Sequence, residues 1–359
     1  MSEIPAKLER VRRSIAAAGI GAVRLRGTDW FNWACAGASH TVLLAAETGI
    51  AQVLITPGKA VVLTNSIEAA RLRAEELPAG FDIFAPDWPD EAATDNFVRA
   101  AAGYAPVASD RPAAGEAALP DGLARVKQSL LPQEIERYRA LGRDAAAAMR
   151  QALSEAEPGW SELLLAGAGA RALLSRGIEP ALILAGGESR VGKYRHPIAT
   201  TAPLGGRAML VFCGRRHGLY ANLTRFVYFR APSDAERRLM DDAAKVEAAA
   251  FEHSRAGASL GDIFGKIAAA YADAGYPGEQ LRHHQGGTTG YLSREAVARP
   301  GCEVRLEPQT ALAWNPSLPG AKMEDTVLLG EDGLEILTAD PQWPRMEISG
   351  RSRPDIWIR

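Results

Sequence analysis

Hydrophobic and polar positions along this chain follow two periods, a helical one and a two-residue one, and the pattern switches between them repeatedly. A charged amphipathic stretch predicts a helix over 7–18. Short apolar runs then predict strands at 23–26, 41–45, 50–56 and 59–63, a helix at 66–76 and a strand at 81–85. Pro, Gly and Ala dominate 86–120 and blur both periods, so a small α/β domain is expected to end near 122–127. We divide the chain into domains at 1–125 and 126–359.

The second part repeats one pattern. Helical spacing covers 133–155, Ser161 is placed to cap a second helix, Gly177 stops it, and a strand follows at 181–185. About a hundred residues later the order returns: a helix at 234–254, Ser259 as a cap, Gly275 as a stop. Strands are expected at 208–213 and 220–229 in the first copy, and at 311–315, 322–329 and 334–337 in the second. A duplicated αα-β unit predicts two pseudo-symmetric halves whose sheets pack together, with a site in the shared cleft. The fold class is α/β (α+β): a small N-terminal α/β domain, then a domain of two αα-β halves.

Composition narrows the partners. With 359 residues, 47% of them hydrophobic, the chain can bury a large core without staples. Its 41 Lys+Arg against 43 Asp+Glu exclude the basic excess of a typical nucleic-acid binder, which leaves small molecules or protein as partners. Cys35, Cys213 and Cys302 have no CxxC spacing, so neither a disulfide framework nor a thiolate zinc site is encoded. The sequence holds no bilayer-length apolar run and no signal-peptide core, so a cytoplasmic protein without membrane contact is expected.

Several polar residues stand out in the β-rich segments. His196 precedes Pro197, and an imidazole that titrates near neutrality can take and return a proton. His283 and His284 precede a Gly pair, and Glu324 lies in a predicted strand. Tyr220, Asn222 and Thr224 alternate onto one strand face, where they either line a cleft or cover a half-exposed sheet. Asn315, between Trp314 and Pro316, needs polar partners if it is buried. The Gly pairs at 186–187 and 205–206 lack phosphate-loop spacing and are read as turns.

The ordered motifs Arg195-His196-Pro197, Gly218-Leu-Tyr-Ala-Asn-Leu-Thr-Arg225, His283-His-Gln-Gly-Gly287, Trp314-Asn-Pro316 and Gly320-Ala-Lys-Met-Glu-Asp-Thr326 resemble the creatinase/prolidase/aminopeptidase P family over nearly the whole chain. The resemblance implies the pita-bread fold behind a smaller N-terminal domain, and a homodimer. Trp30-Phe-Asn-Trp33 is similar to the stretch that, in family dimers, approaches the partner's cleft. The family's peptidases hold two metal ions between two Asp, a His and two Glu. The resemblance puts those ligands at Phe212, in a D-x-G position written Phe212-Cys-Gly214, and at Asn222, His284, Asn315 and Glu324. Paired divalent cations need several anionic donors. The expectation is therefore no cofactor and no dinuclear metal, with a weak single ion on His284 and Glu324 left open. His196 falls at the catalytic histidine of creatinase, which works without metal, while creatinase's strand carboxylate appears here as Thr224.

Loss of the family's carboxylates, with Arg215, Arg216, His217, Arg225, Arg282 and Arg294 on or beside the motifs, favours an anionic ligand. The expected activity is metal-independent, creatinase-like hydrolysis of a C–N bond in a small carboxylate-bearing amino acid, amide or guanidino compound. His196, His284 and Glu324 are the expected catalytic residues, and His283, Tyr220, Asn222, Asn315, Arg225 and Thr224 the substrate-binding ones. Three alternatives stay open: an Xaa-Pro dipeptidase or aminopeptidase with unorthodox ligands, a lyase, and a catalytically inactive ligand-binding homologue.

Overall fold

The computed structural model describes residues 2–359, which form two compact units, Met1–Glu134 and Ile135–Arg359. The division falls later than the expected 125/126 boundary because the intervening segment is tied into the first unit. Glu134 pairs with the buried Lys7 at 2.8 Å, and Arg10 donates to the carbonyls of Val126 and Ser129.

In the first unit, six strands form one sheet: β1 (Ala22–Gly27), β2 (Thr48–Ile55), β3 (Ala60–Leu63), β4 (Asp82–Phe84), β5 (Val107–Ser109) and β6 (Ala117–Ala118), in the order β4-β3-β2-β1-β5-β6. The strand expected at 41–45 does not form. Val42, Leu43 and Leu44 lie exposed in a turn, and the segment pairs with no strand. Trp30 and Trp33 sit instead on a helix, Thr28–Ala34, and are buried with Lys127 and Lys7 over their rings.

The second unit shows the duplication. Helices Pro132–Glu155, which begins at the division, and Glu162–Leu174 precede β7 (Glu179–Gly187), β8 (Arg207–Arg216) and β9 (Leu219–Tyr228). Helices Asp234–His253 and Leu260–Asp273 precede β10 (Gly286–Thr289), β11 (Ala296–Val297), β12 (Ala311–Trp314), β13 (Ser317–Leu318), β14 (Ala321–Lys322), β15 (Asp325–Gly330) and β16 (Gly333–Ile336). Ser161 and Ser259 both cap as their sequence positions imply, accepting from the backbone N–H of Leu164 and Asp262. Gly186 and Gly187 are the end of β7 rather than a turn. The two glycines of 286–287 have a steric reason: a Cβ there would fall 2.1 Å from the carbonyl oxygen of Ala313 and 2.0 Å from that of Ala296. Only glycine lets β10 lie this close to its neighbours.

The two sheets meet where the strand expected over 322–329 breaks. Met323 and Glu324 leave the ladder between β14 and β15, and Glu324 bridges to Thr224 of the other half, whose N–H donates to its carbonyl at 3.1 Å. Beside it, the Thr326 hydroxyl accepts from the Asn222 N–H and donates to the Asn222 carbonyl. Leu312, Trp314, Val327, Met209, Val211 and Phe226 join helix residues such as Phe251 and Ile267 in one buried cluster.

Candidate active site

Side chains from both halves converge at that junction. Alternation along β9 puts Asn222 and Thr224 on one face, and both are buried. Cys213 of β8 stands directly across from Asn222 and so shares its face. Phe212 points the other way, with its ring beneath Gly169 of the helix Glu162–Leu174. The structure thus moves the D-x-G position by one residue: Cys213 replaces Phe212 on the site-facing side. A single-residue slip inverts the face of a strand residue, and the sequence alone did not fix that register.

Glu324 is the electrostatic centre. Its carboxylate accepts from the Thr224 hydroxyl at 2.7 Å, Lys322 Nζ lies 2.9 Å from the same oxygen, and Arg294 Nη2 lies 3.1 Å from the other. Burial would raise this carboxyl, but the two cations and the hydroxyl outweigh it and hold it down at about 2. Glu324 is therefore a fixed anion with both oxygens engaged, and it is unsuited to act as a base. Lys322 was not foreseen. The available signal was its spacing, two residues before Glu324 in an extended segment, which puts both on one face.

The three histidines form a second cluster. His283 Nε2 lies 2.9 Å from His196 Nε2, and the His283 and His284 rings stack with centroids 4.6 Å apart. Arg195 pairs with Glu279, which joins the loop carrying His196 to the turn before His283. Gln285, fully buried, accepts from Tyr271 and donates to the His283 carbonyl, so the backbone under both imidazoles is latched. Burial and the Lys322 charge lower His196 and take His283 down to about 2. Burial and the Arg294 charge lower His284 to about 4. All three are neutral at neutral pH.

Other expected residues separate. Asn315 is buried with its Oδ1 unpartnered, as is Asn222 Oδ1, and Arg294 Nε is a buried donor without an acceptor. Unpaired buried polar atoms on three residues of one site mark a place for a polar ligand or water. Tyr220 lies two residues before Asn222 at the start of β9, and its hydroxyl is 3.5 Å from Arg215, which pairs with Glu179. Arg225 does not face the site. Its guanidinium pairs with Asp325 at 2.7 Å and reaches the Thr338 carbonyl, within a buried network that includes Arg353 and Glu247. Arg225 sits one residue from Thr224, and the strand period turns it to the opposite face. Arg216 is likewise taken by Asp144, which leaves Arg294 as the arginine paired with Glu324.

Comparison with known proteins agrees with this architecture. Residues 136–331 match metallopeptidase family M24. The chain belongs to that family. An uncharacterized peptidase of Staphylococcus haemolyticus (strain JCSC1435) is 30% identical over 127 residues, 33% of this chain and 35% of that protein, so the match spans about a third of that relative's length. The Xaa-Pro dipeptidase from Bacillus anthracis superposes with TM-score 0.78 at 18% identity over 99% of this chain and all of the other (100%). Dipeptidase PepE from Mycobacterium ulcerans does so with TM-score 0.78 at 17% identity, over 99% and 98%. The pita-bread fold of prolidases is thereby established for this chain, and family membership supports a hydrolase of the peptidase class. Among the described residues no helix is long and apolar enough to cross a membrane.

The residues present do not fit the paired metal ions that the family implies. Cys213, Asn222 and Asn315 supply no anion, since burial first and Glu324 second push the Cys213 thiol up to about 12 and keep it protonated. The carboxylate that remains is already engaged by two cations. His196, His283 and His284 do bring one nitrogen each within 4.8 Å of one another, near enough for a single ion by distance. A dication there would add to the charges of Lys322 and Arg294, against one carboxylate.

Proposed function

We propose that the protein is a hydrolase of the M24 fold that works without a dinuclear metal on a C–N bond of a small, carboxylate-bearing amino acid, amide or guanidino compound. The observation that carries this reading is the convergence of Lys322 and Arg294 on Glu324, where the family's metal sites require free carboxylates. One negative charge against two positive ones leaves the site cationic, which suits an anionic ligand and a developing oxyanion.

In this reading neutral His196 takes a proton from water, the water oxygen bonds to the scissile carbon, the C–N bond breaks, and the proton passes to the leaving nitrogen. Lys322 and Arg294 face the charge that builds on the carbon's oxygen or nitrogen substituent, with Glu324 holding both in place. His284 orients the water or scissile group, and the unpartnered Oδ1 atoms of Asn222 and Asn315 accept hydrogen bonds from the substrate.

The test has two parts. Elemental analysis of the purified protein should find far less than one equivalent of Mn, Co or Zn, and chelators should leave activity intact; two tightly held ions per chain would overturn the reading. On a substrate found by screening N-substituted amino acids, guanidino acids and X-Pro dipeptides, His196→Asn should keep the fold while lowering kcat roughly 10²–10⁴-fold. Ligand binding without turnover of any compound would instead favour an inactive binding homologue.

A further inference from the structure

We propose that His283 is a positioning residue that fixes the tautomer of His196. The idea rests on the acid/base role given to His196, but its key measurement does not need turnover. Two neutral imidazoles whose Nε2 atoms lie 2.9 Å apart can satisfy that contact only with one proton between them. Either His283 donates and His196 carries its remaining proton on Nδ1, or His196 donates from Nε2 and leaves Nδ1 bare.

Only the second arrangement makes His196 a base, because its Nε2 is already occupied by His283 and Nδ1 is the nitrogen left for water or substrate. His283 then accepts the Nε2–H of His196, the part a carboxylate plays behind many catalytic histidines. A carboxylate would be poorly placed to do more here, since the local acid, Glu324, is held by Thr224, Lys322 and Arg294. His283 is equipped for the task by its surroundings. It is 9% exposed, its carbonyl is latched by Gln285, and the Arg195–Glu279 pair ties its turn to the loop of His196. With Nε2 accepting, His283 carries its own proton on Nδ1, a buried atom without a partner, and this unsatisfied donor is the cost of the arrangement. When His196 gains a proton, His283 still accepts and the imidazolium needs no rearrangement. Lys322, Glu324 and His284 are the other charged or titratable groups that act on this pair, and the first opposes charge on either ring.

The tautomer is read directly by long-range ¹H–¹⁵N correlation on the full-length protein labelled at histidine, with the His196 signal assigned from His196→Asn. At neutral pH His196 should carry its proton on Nε2. His283→Phe, which cannot accept, should turn His196 into a mixture of tautomers or its Nδ1–H form, while His283→Gln, which offers a carbonyl oxygen, should restore the wild-type signature. Thermal melts check that both variants fold. Where a substrate is in hand, His283→Phe should lower kcat about 10–100-fold with KM little changed, and His283→Gln should recover most of it. A proton on Nδ1 of wild-type His196, an unchanged tautomer in His283→Phe, or stoichiometric metal shifting both Nε2 signals would each overturn the proposal. A correct tautomer in a protein that turns nothing over would instead count against the enzymatic reading.

Discussion

Replacing Glu324 by Gln tests the electrostatic centre most directly. The side chain keeps its shape and its oxygen but loses the charge shared by the buried Lys322 and the partly buried Arg294, 2.9 and 3.1 Å away. Its carboxyl lies near 2 in the folded protein against an ordinary value of 4.5. That depression corresponds to about 3 kcal/mol of stability at neutral pH, within the range seen when one partner of a buried ion pair is removed. Because the folded value is the lower one, this stabilisation is complete above pH 4.5 and is lost as pH falls from there toward 2. Urea unfolding followed by circular dichroism at pH 7 should show Glu324→Gln less stable by about 3 kcal/mol, with the gap to wild type closing as the wild-type carboxyl protonates. Adding Lys322→Met should recover part of the loss, since it removes a cation left without its anion. A Gln variant as stable as wild type at pH 7 would refute the view that Lys322 and Arg294 are held by this charge.

Two further outcomes follow from the same geometry. Cys213→Asp with Asn222→Asp and Asn315→Glu should create measurable Mn or Zn binding by calorimetry, more so with Arg294→Leu, whereas the same set with Phe212→Asp should not; equal gains would mean that Cys213 does not face the site. Since His283 and His284 are held at about 2 and 4, the unfolded chain binds protons that the folded one refuses below pH 6.5. Stability should thus fall as pH is lowered below 6.5, by up to about 1.4 kcal/mol per unit for each withheld proton, and His283→Phe should flatten that slope; an unchanged slope would contradict the burial of His283 as a neutral ring.

How much of this was legible beforehand depended on the range of the signal. Caps and stops are local, so Ser161, Ser259, Gly177 and Gly275 announced the duplicated helix pairs correctly. The apolar run at 42–44 misled for the opposite reason: strand propensity without a pairing partner yields an exposed turn. Motif order carried the family and put His196, His283, His284 and Glu324 in one place, because such an order survives when individual side chains change.

What motif order could not carry was the face. Strand residues one position apart lie on opposite sides of a sheet, so Thr224 and Arg225 part company, as do Phe212 and Cys213, and no count of spacing along one strand decides which of each pair is inward. The decision is made by the partner strand. Cys213 faces the site because it pairs with Asn222, and Arg225 turns away because Asp325, one residue beyond Glu324, waits for it on the other side. The Glu324–Asp325 pair thus serves two separate charge systems through one backbone step: Glu324 gathers Lys322 and Arg294 at the site, and Asp325 anchors Arg225 and Arg353 in the core behind it. The family's acidic pair is retained here while its metal-binding company is not, because half of it belongs to the fold. The half that faces the cleft carries two fixed cations, Lys322 and Arg294, on the carboxylate that the family resemblance makes a metal ligand.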